Sequence, residues 1–295
     1  MKWFWIFIAL FMILVGCEPS HNGNEPEVRR IYLGGVNGNE LGIYSFEPST
    51  GKLKHVENLD LNVTGRLTIS DDGVLVPSSG VIYKIDGDGV EEILEGDDVF
   101  KLACSIDGTV VGVGEEKLYM DGTALSLKVE EVQIGDGYLY LLANGNLVKM
   151  DLDSLELKTV LEGDFETLSY DPPYLYLTRS STLYTYMVSD PGSPTFESEM
   201  RIEGVGDIKR IITSNGDILM AGDGGIVLLT TSEEIYSVYN GYVSDFDISN
   251  NVLFLVSDLE DVMKVLDISI PSEVEILDQI GGLNLSNPSV LVGEE

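Results

Sequence analysis

Histidine and cysteine are nearly missing, with two of each in 295 residues. His21 lies in a polar stretch near the N-terminus, and His55 falls in a strand-like run without a second histidine or a cysteine near it. Zinc needs a cluster of such ligands, and a serine or cysteine nucleophile of the triad kind needs a neighbouring imidazole. Neither chemistry has residues to be built from. Basic residues are also few: 17 Lys and Arg stand against 50 Asp and Glu, a formal charge of −33. Such a surface repels phosphate backbones and anionic headgroups, which excludes nucleic acid as a partner. No glycine-rich strand-to-helix element is present to cradle a phosphate.

What the chain does have is apolar residues (44%) in short runs and 32 glycines to turn between them. Residues 67–94, LTISDDGVLVPSSGVIYKIDGDGVEEIL, set the pattern. Four β-rich runs are divided by Asp/Gly turns, the signature of a four-stranded antiparallel meander. The turn between its first two runs, Asp72-Gly73, recurs at Asp107-Gly108, Asp136-Gly137, Asp171-Pro172-Pro173, Asn215-Gly216 and Asn250-Asn251. The spacing, about 29 to 43 residues, is near that of propeller blades. These make six complete units. Residues 31–33, 42–46 and 53–57 supply the second, third and fourth strands of another unit, and residues 289–292 supply a lone first strand. The expected fold is therefore an all-β propeller of seven four-stranded blades, its ring closed by the C-terminal strand. Closure removes two sheet edges that would otherwise template aggregation.

Ahead of the repeats, residues 1–17 read MKWFWIFIALFMILVGC. The apolar run is shorter than the ~20 residues a spanning helix needs. Its end, Leu14-Val15-Gly16-Cys17, resembles the lipobox of bacterial lipoproteins. That resemblance implies cleavage before Cys17 and a diacylglyceryl group on its thiol. Residues 1–16 are then a signal peptide, residues 17–30 a flexible tether poor in apolar groups, and residues 31–295 the propeller. With Cys17 lipidated, Cys104 has no disulfide partner and reads as a buried, inert thiol. The implied address is the bacterial cell envelope, facing periplasm or exterior, with the membrane touched through the lipid alone.

Two kinds of segment resemble propeller families. Lys264-Val265-Leu266-Asp267-Ile268-Ser269-Ile270-Pro271 is similar to the LVIVD repeat of microbial surface proteins, with a weaker copy at Tyr186-Met187-Val188-Ser189-Asp190-Pro191. Residues 43–53, IYSFEPSTGKL, resemble the blade hairpin of lactonase-type seven-bladed propellers. Lactonase chemistry on that fold implies His, Glu and Arg in the central cleft. Here the repeats offer His55, on an outer strand, and Arg66, Arg179, Arg201 and Arg210.

Carboxylates are the plentiful candidates. Asp86-Gly87-Asp88-Gly89 and Asp151-Leu152-Asp153 have the oxygen donors of a calcium loop without its spacing, and read as hairpin turns. A Glu-Gly-Asp motif recurs between blades, in Glu95-Gly96-Asp97-Asp98, Glu162-Gly163-Asp164 and residues 203–207. The connection from a fourth strand to the next first strand lies on the top face. Asp97, Asp98, Asp164 and Asp207 are thus the expected ligand or cation site, with Ca²⁺ as the candidate ion and no organic cofactor. Like charges gathered there would raise some of their pKa values. The glycines carry a plainer explanation, the need to turn the chain inward. The leading expectation is a monomeric, non-catalytic module binding an envelope protein or small ligand. The alternatives are a cation-dependent hydrolase or lyase, and a sensory or solute-binding module.

Overall fold

Short apolar runs punctuated by Asp-Gly and Asn-Gly become seven four-stranded antiparallel sheets in the computed structural model. The structure describes residues 28–293 except Asp71 and Asp88. The expected signal peptide, Cys17 and most of the expected tether lie outside the described residues, as does Asp88 of the Asp86–Gly89 turn. No helix of the described residues is long and apolar enough to cross a membrane.

Turn chemistry sets the hairpins. Asp107 and Gly108 have φ of 49° and 80°, and Asn215 and Gly216 have 55° and 83°. Positive φ at both central residues gives the turn whose twist matches the flanking strands, and Asn, Asp and Gly reach it at least cost. Six blades are contiguous in sequence. The other is built from both ends of the domain. Ser289–Gly293 pairs antiparallel with Arg29–Val36, from Gly34 opposite Ser289 to Arg30 opposite Gly293. The ring closes as the orphan strands require. The blade strand takes in Arg29 and Arg30, the last two residues assigned to the tether.

The core lies between blades rather than within them, because each sheet buries both faces against its neighbours. At the closing seam Phe46 meets Phe254 edge-on, with centroids 5.2 Å apart. Alternating Tyr138 and Tyr140 share one face and pack with Tyr170 of the following blade; the Tyr140 and Tyr170 rings are 5.3 Å apart. Cys104 is buried, and burial pushes its thiol up to about 12, so it stays protonated and unreactive. His55 sits on the outer strand Lys52–Leu59, its ring bonded to Asn58 at 2.8 Å.

Candidate functional site: the central channel

The first strand of each blade faces the ring axis. These strands are Thr68–Ser70, Leu102–Ile106, Glu131–Ile134, Thr167–Asp171, Ile208–Ser214, Asp245–Ser249 and Ser289–Gly293. They surround a cavity of about 850 Å³. It reaches the C-terminal ends of these strands near Ile69, Asn215, Asn250 and Gly293. By strand alternation, this mouth is on the face opposite the connections between blades. Val28 and Arg29 also line it, so the chain enters the ring beside the opening.

Charge sits at the deep end. Nη1 of Arg66 donates to both carboxylate oxygens of Glu131, at 2.8 and 2.9 Å, a tie from the second blade to the fourth. Arg66 is placed by its own backbone, whose N–H donates to Lys101 O at 2.8 Å. Arg210 forms an ion pair with Asp245 of the next blade, and its guanidinium lies 5.3 Å from the centre of the Phe246 ring. Asp245 also accepts from Ser289 Oγ–H at 2.8 Å and from the Val290 N–H at 3.1 Å. Ser289 Oγ in turn accepts from the Leu67 N–H at 3.0 Å. One buried network therefore joins blades two, six and seven to the closing strand.

Asp247 stands two residues further along the same strand. Its Oδ2 accepts from Val292 N–H at 2.8 Å and its Oδ1 from Ile248 N–H at 2.9 Å. Burial raises its pKa above the usual carboxylate range, although Arg210 and the two amides pull the other way. Arg210 is pushed down to about 9, first by burial and then by the like charge of Arg66. Glu131 and Asp245 are only 7% and 5% exposed and stand behind the arginines. Among the described residues, the charged ones that line the cavity are Arg29, Arg66, Arg210 and Asp247.

The acidic connections are built differently. Asp97 is exposed, and it accepts from Lys117 Nζ at 2.7 and 2.8 Å and from Tyr119 O–H at 2.5 Å. Lys117, then Tyr119, lower its pKa to about 2. Burial pushes Asp98 up, but the amides of Glu116, Val99 and Glu115 hold it below the usual range. Both shifts run against the rise expected for a crowded acidic mouth, because each carboxylate has local donors rather than a second carboxylate for company. Asp207 accepts from Ser180 Oγ–H at 2.5 Å, and Asp164 is exposed. Among the described residues, no group of three or more His, Cys, Asp or Glu could hold a metal ion. The motif's glycines have backbone reasons. A Cβ on Gly163 would come 2.7 Å from the Phe165 ring, and Gly204 has φ of +84°. In the third-to-fourth strand turn, Asp151 Oδ1 accepts from Ser154 N–H and O–H at 3.0 and 2.9 Å, closing the turn on itself.

Sequence reasoning singled out Arg66 and Arg210 only as scarce arginines, and it did not reach Glu131, Asp245 or Asp247. A signal existed. Each lies in, or just before, the first strand of its repeat unit, where neighbouring units carry Thr, Ser, Ala or aliphatic residues. A charge in that column has only the channel or a channel partner to face.

The sequence matches no family profile and no curated protein. Solved structures do match its fold. A candidate 6-phosphogluconolactonase of Bacteroides fragilis is similar with a TM-score of 0.70 at 13% identity, over 92% of this chain and 99% of that one. The periplasmic gluconolactonase of Pseudomonas aeruginosa gives 0.68 at 14% identity, over 90% and 99%. Citrobacter koseri AztD gives 0.63 at 10% identity, over 90% and 98%. At such identities the likeness is one of architecture: the chain is a seven-bladed β-propeller of the form that lactonase-type proteins share.

Proposed function

We propose that this chain is a lipid-anchored propeller of the bacterial cell envelope whose channel holds a small ligand without turning it over. The observation that carries the reading is the cavity wall. A protein of charge −33 places three of its six arginines there, around a cavity of about 850 Å³, within the size range of metabolite pockets. The anchor rests on Leu14-Val15-Gly16-Cys17 and on the entry of the chain next to that mouth.

One observation favours a hydrolase instead. Asp247 borders the cavity with a raised pKa, as a general acid or base would, and two of the structural relatives are named as lactonases. Against this, each Asp247 oxygen is already held by an amide of Val292 or Ile248. Among the described residues, no imidazole lines the cavity to share the work.

Purified protein, incubated with glucono-1,5-lactone in a pH-stat, is expected to release acid no faster than buffer. Steady turnover that disappears in Asp247→Asn would replace the binding reading with the hydrolase. In cells, Cys17→Ser should leave the membrane fraction or accumulate as precursor. A variant that fractionates and matures like the parent would remove the anchor from the account.

A further inference from the structure

Building on the channel as ligand site, we infer that its ligand is a small organic oxyanion, a carboxylate or phosphate ester, seated with its charged end against Arg66 and Arg210. Both arginines keep unspent donors. Arg66 meets Glu131 through Nη1 alone, and Arg210 meets Asp245 as an ion pair through Nη1, a buried nitrogen that has no hydrogen-bond partner among the described residues. The Nη2 and Nε groups of both side chains have no hydrogen-bond acceptor among the described residues. A guanidinium carries five N–H donors in a rigid fork, matched to a planar or tetrahedral oxyanion.

The carboxylates that balance these arginines are placed where they orient without competing. Glu131 and Asp245 are outside the cavity wall, so a ligand entering from the mouth meets the guanidinium edges and not the acids. Phe246 fixes the plane of Arg210 from its ring side. Asp247 is the one acid of the wall among the described residues, and its oxygens are directed at the amides of Val292 and Ile248. The site is pre-formed, which lowers the cost of ordering it on binding.

Size and surroundings choose an organic anion over a bare ion. About 850 Å³ is far more than a single phosphate fills, and falls within the range of metabolite pockets. Gln133 and Asn215 stand nearer the mouth and can meet hydroxyl groups on the ligand body. The acidic exterior adds selectivity. Its field repels extended polyanions over their length, whereas a small anion inside the channel meets the guanidinium groups at close range.

Calorimetric titration at low ionic strength with citrate, glycerol 3-phosphate and neutral glucose tests this. The proteins are wild type, the paired variant Arg66→Met/Glu131→Gln, which leaves no lone buried charge, and Lys117→Met on the opposite face. Citrate or glycerol 3-phosphate should bind wild type and Lys117→Met alike, at least tenfold more weakly to the paired variant, and more weakly with added salt. The tighter of the two identifies the oxyanion. If the paired variant does not fold, Arg66→Lys keeps the charge, loses the fork, and should bind severalfold more weakly. Glucose binding without the anions would overturn the inference and leave the channel reading standing. Anion binding unchanged in the Arg66 variants, or no binding of either anion, would also overturn it.

Discussion

Cutting the chain after Gly282 should abolish cooperative folding. The lost segment contains Leu283, Val290, Leu291 and Val292, which are 7%, 0%, 6% and 3% exposed. Four buried side chains at about 1.5–3 kcal/mol each come to roughly 6–12 kcal/mol, before any ladder hydrogen bond is counted. A domain is typically stable by only about 5–15 kcal/mol, so the loss is comparable to the whole. The cut also bares the Arg29–Val36 edge and strands Asp245 and Asp247 without the amides of Val290 and Val292. Circular dichroism melts and size-exclusion chromatography check this. The expected outcome is aggregation with no sharp transition. A truncated chain that stays monomeric and melts like the parent would mean that the ring does not depend on this strand.

A single side chain should come next in effect. Asp245→Ala removes the counter-ion of Arg210 together with the acceptor for Ser289 and Val290. Breaking a buried pair from one side leaves an uncompensated charge and costs about 3–5 kcal/mol. Asp245→Asn keeps an acceptor for the closing strand but not the charge, and replacing Arg210 as well, in Arg210→Met/Asp245→Asn, should recover much of the loss. Urea denaturation midpoints of the three variants measure this. Equal stability for Asp245→Ala and wild type would show that the network does not hold the seam.

Blade number, strand order and closure were legible because they follow from local rules: period-two alternation, Asp-Gly turns, and a missing strand at each end of the repeats. The inert Cys104 and the outer His55 followed from the same reading. The site did not. Repetition drew attention to the Glu-Gly-Asp connections, whose glycines serve the backbone and whose Asp97 and Asp98 take local donors. The channel is assembled from residues that occur once each, on different blades. Arg66 and Glu131 lie 65 residues apart, and Asp245 meets Ser289 at a separation of 44. Only ring geometry, which no local window contains, brings such positions onto one axis.

In the proposed function the ligand is met in the channel and not on the acidic face. Hydrogen–deuterium exchange of the protein, with and without the small-molecule fraction of envelope extract, tests it most directly. Slower exchange should appear at residues 210–215, 247–250 and 291–293, around the deep arginines and the mouth, with residues 95–98, 162–164 and 203–207 unchanged. Protection confined to the second set, with the channel amides unaffected, would contradict it.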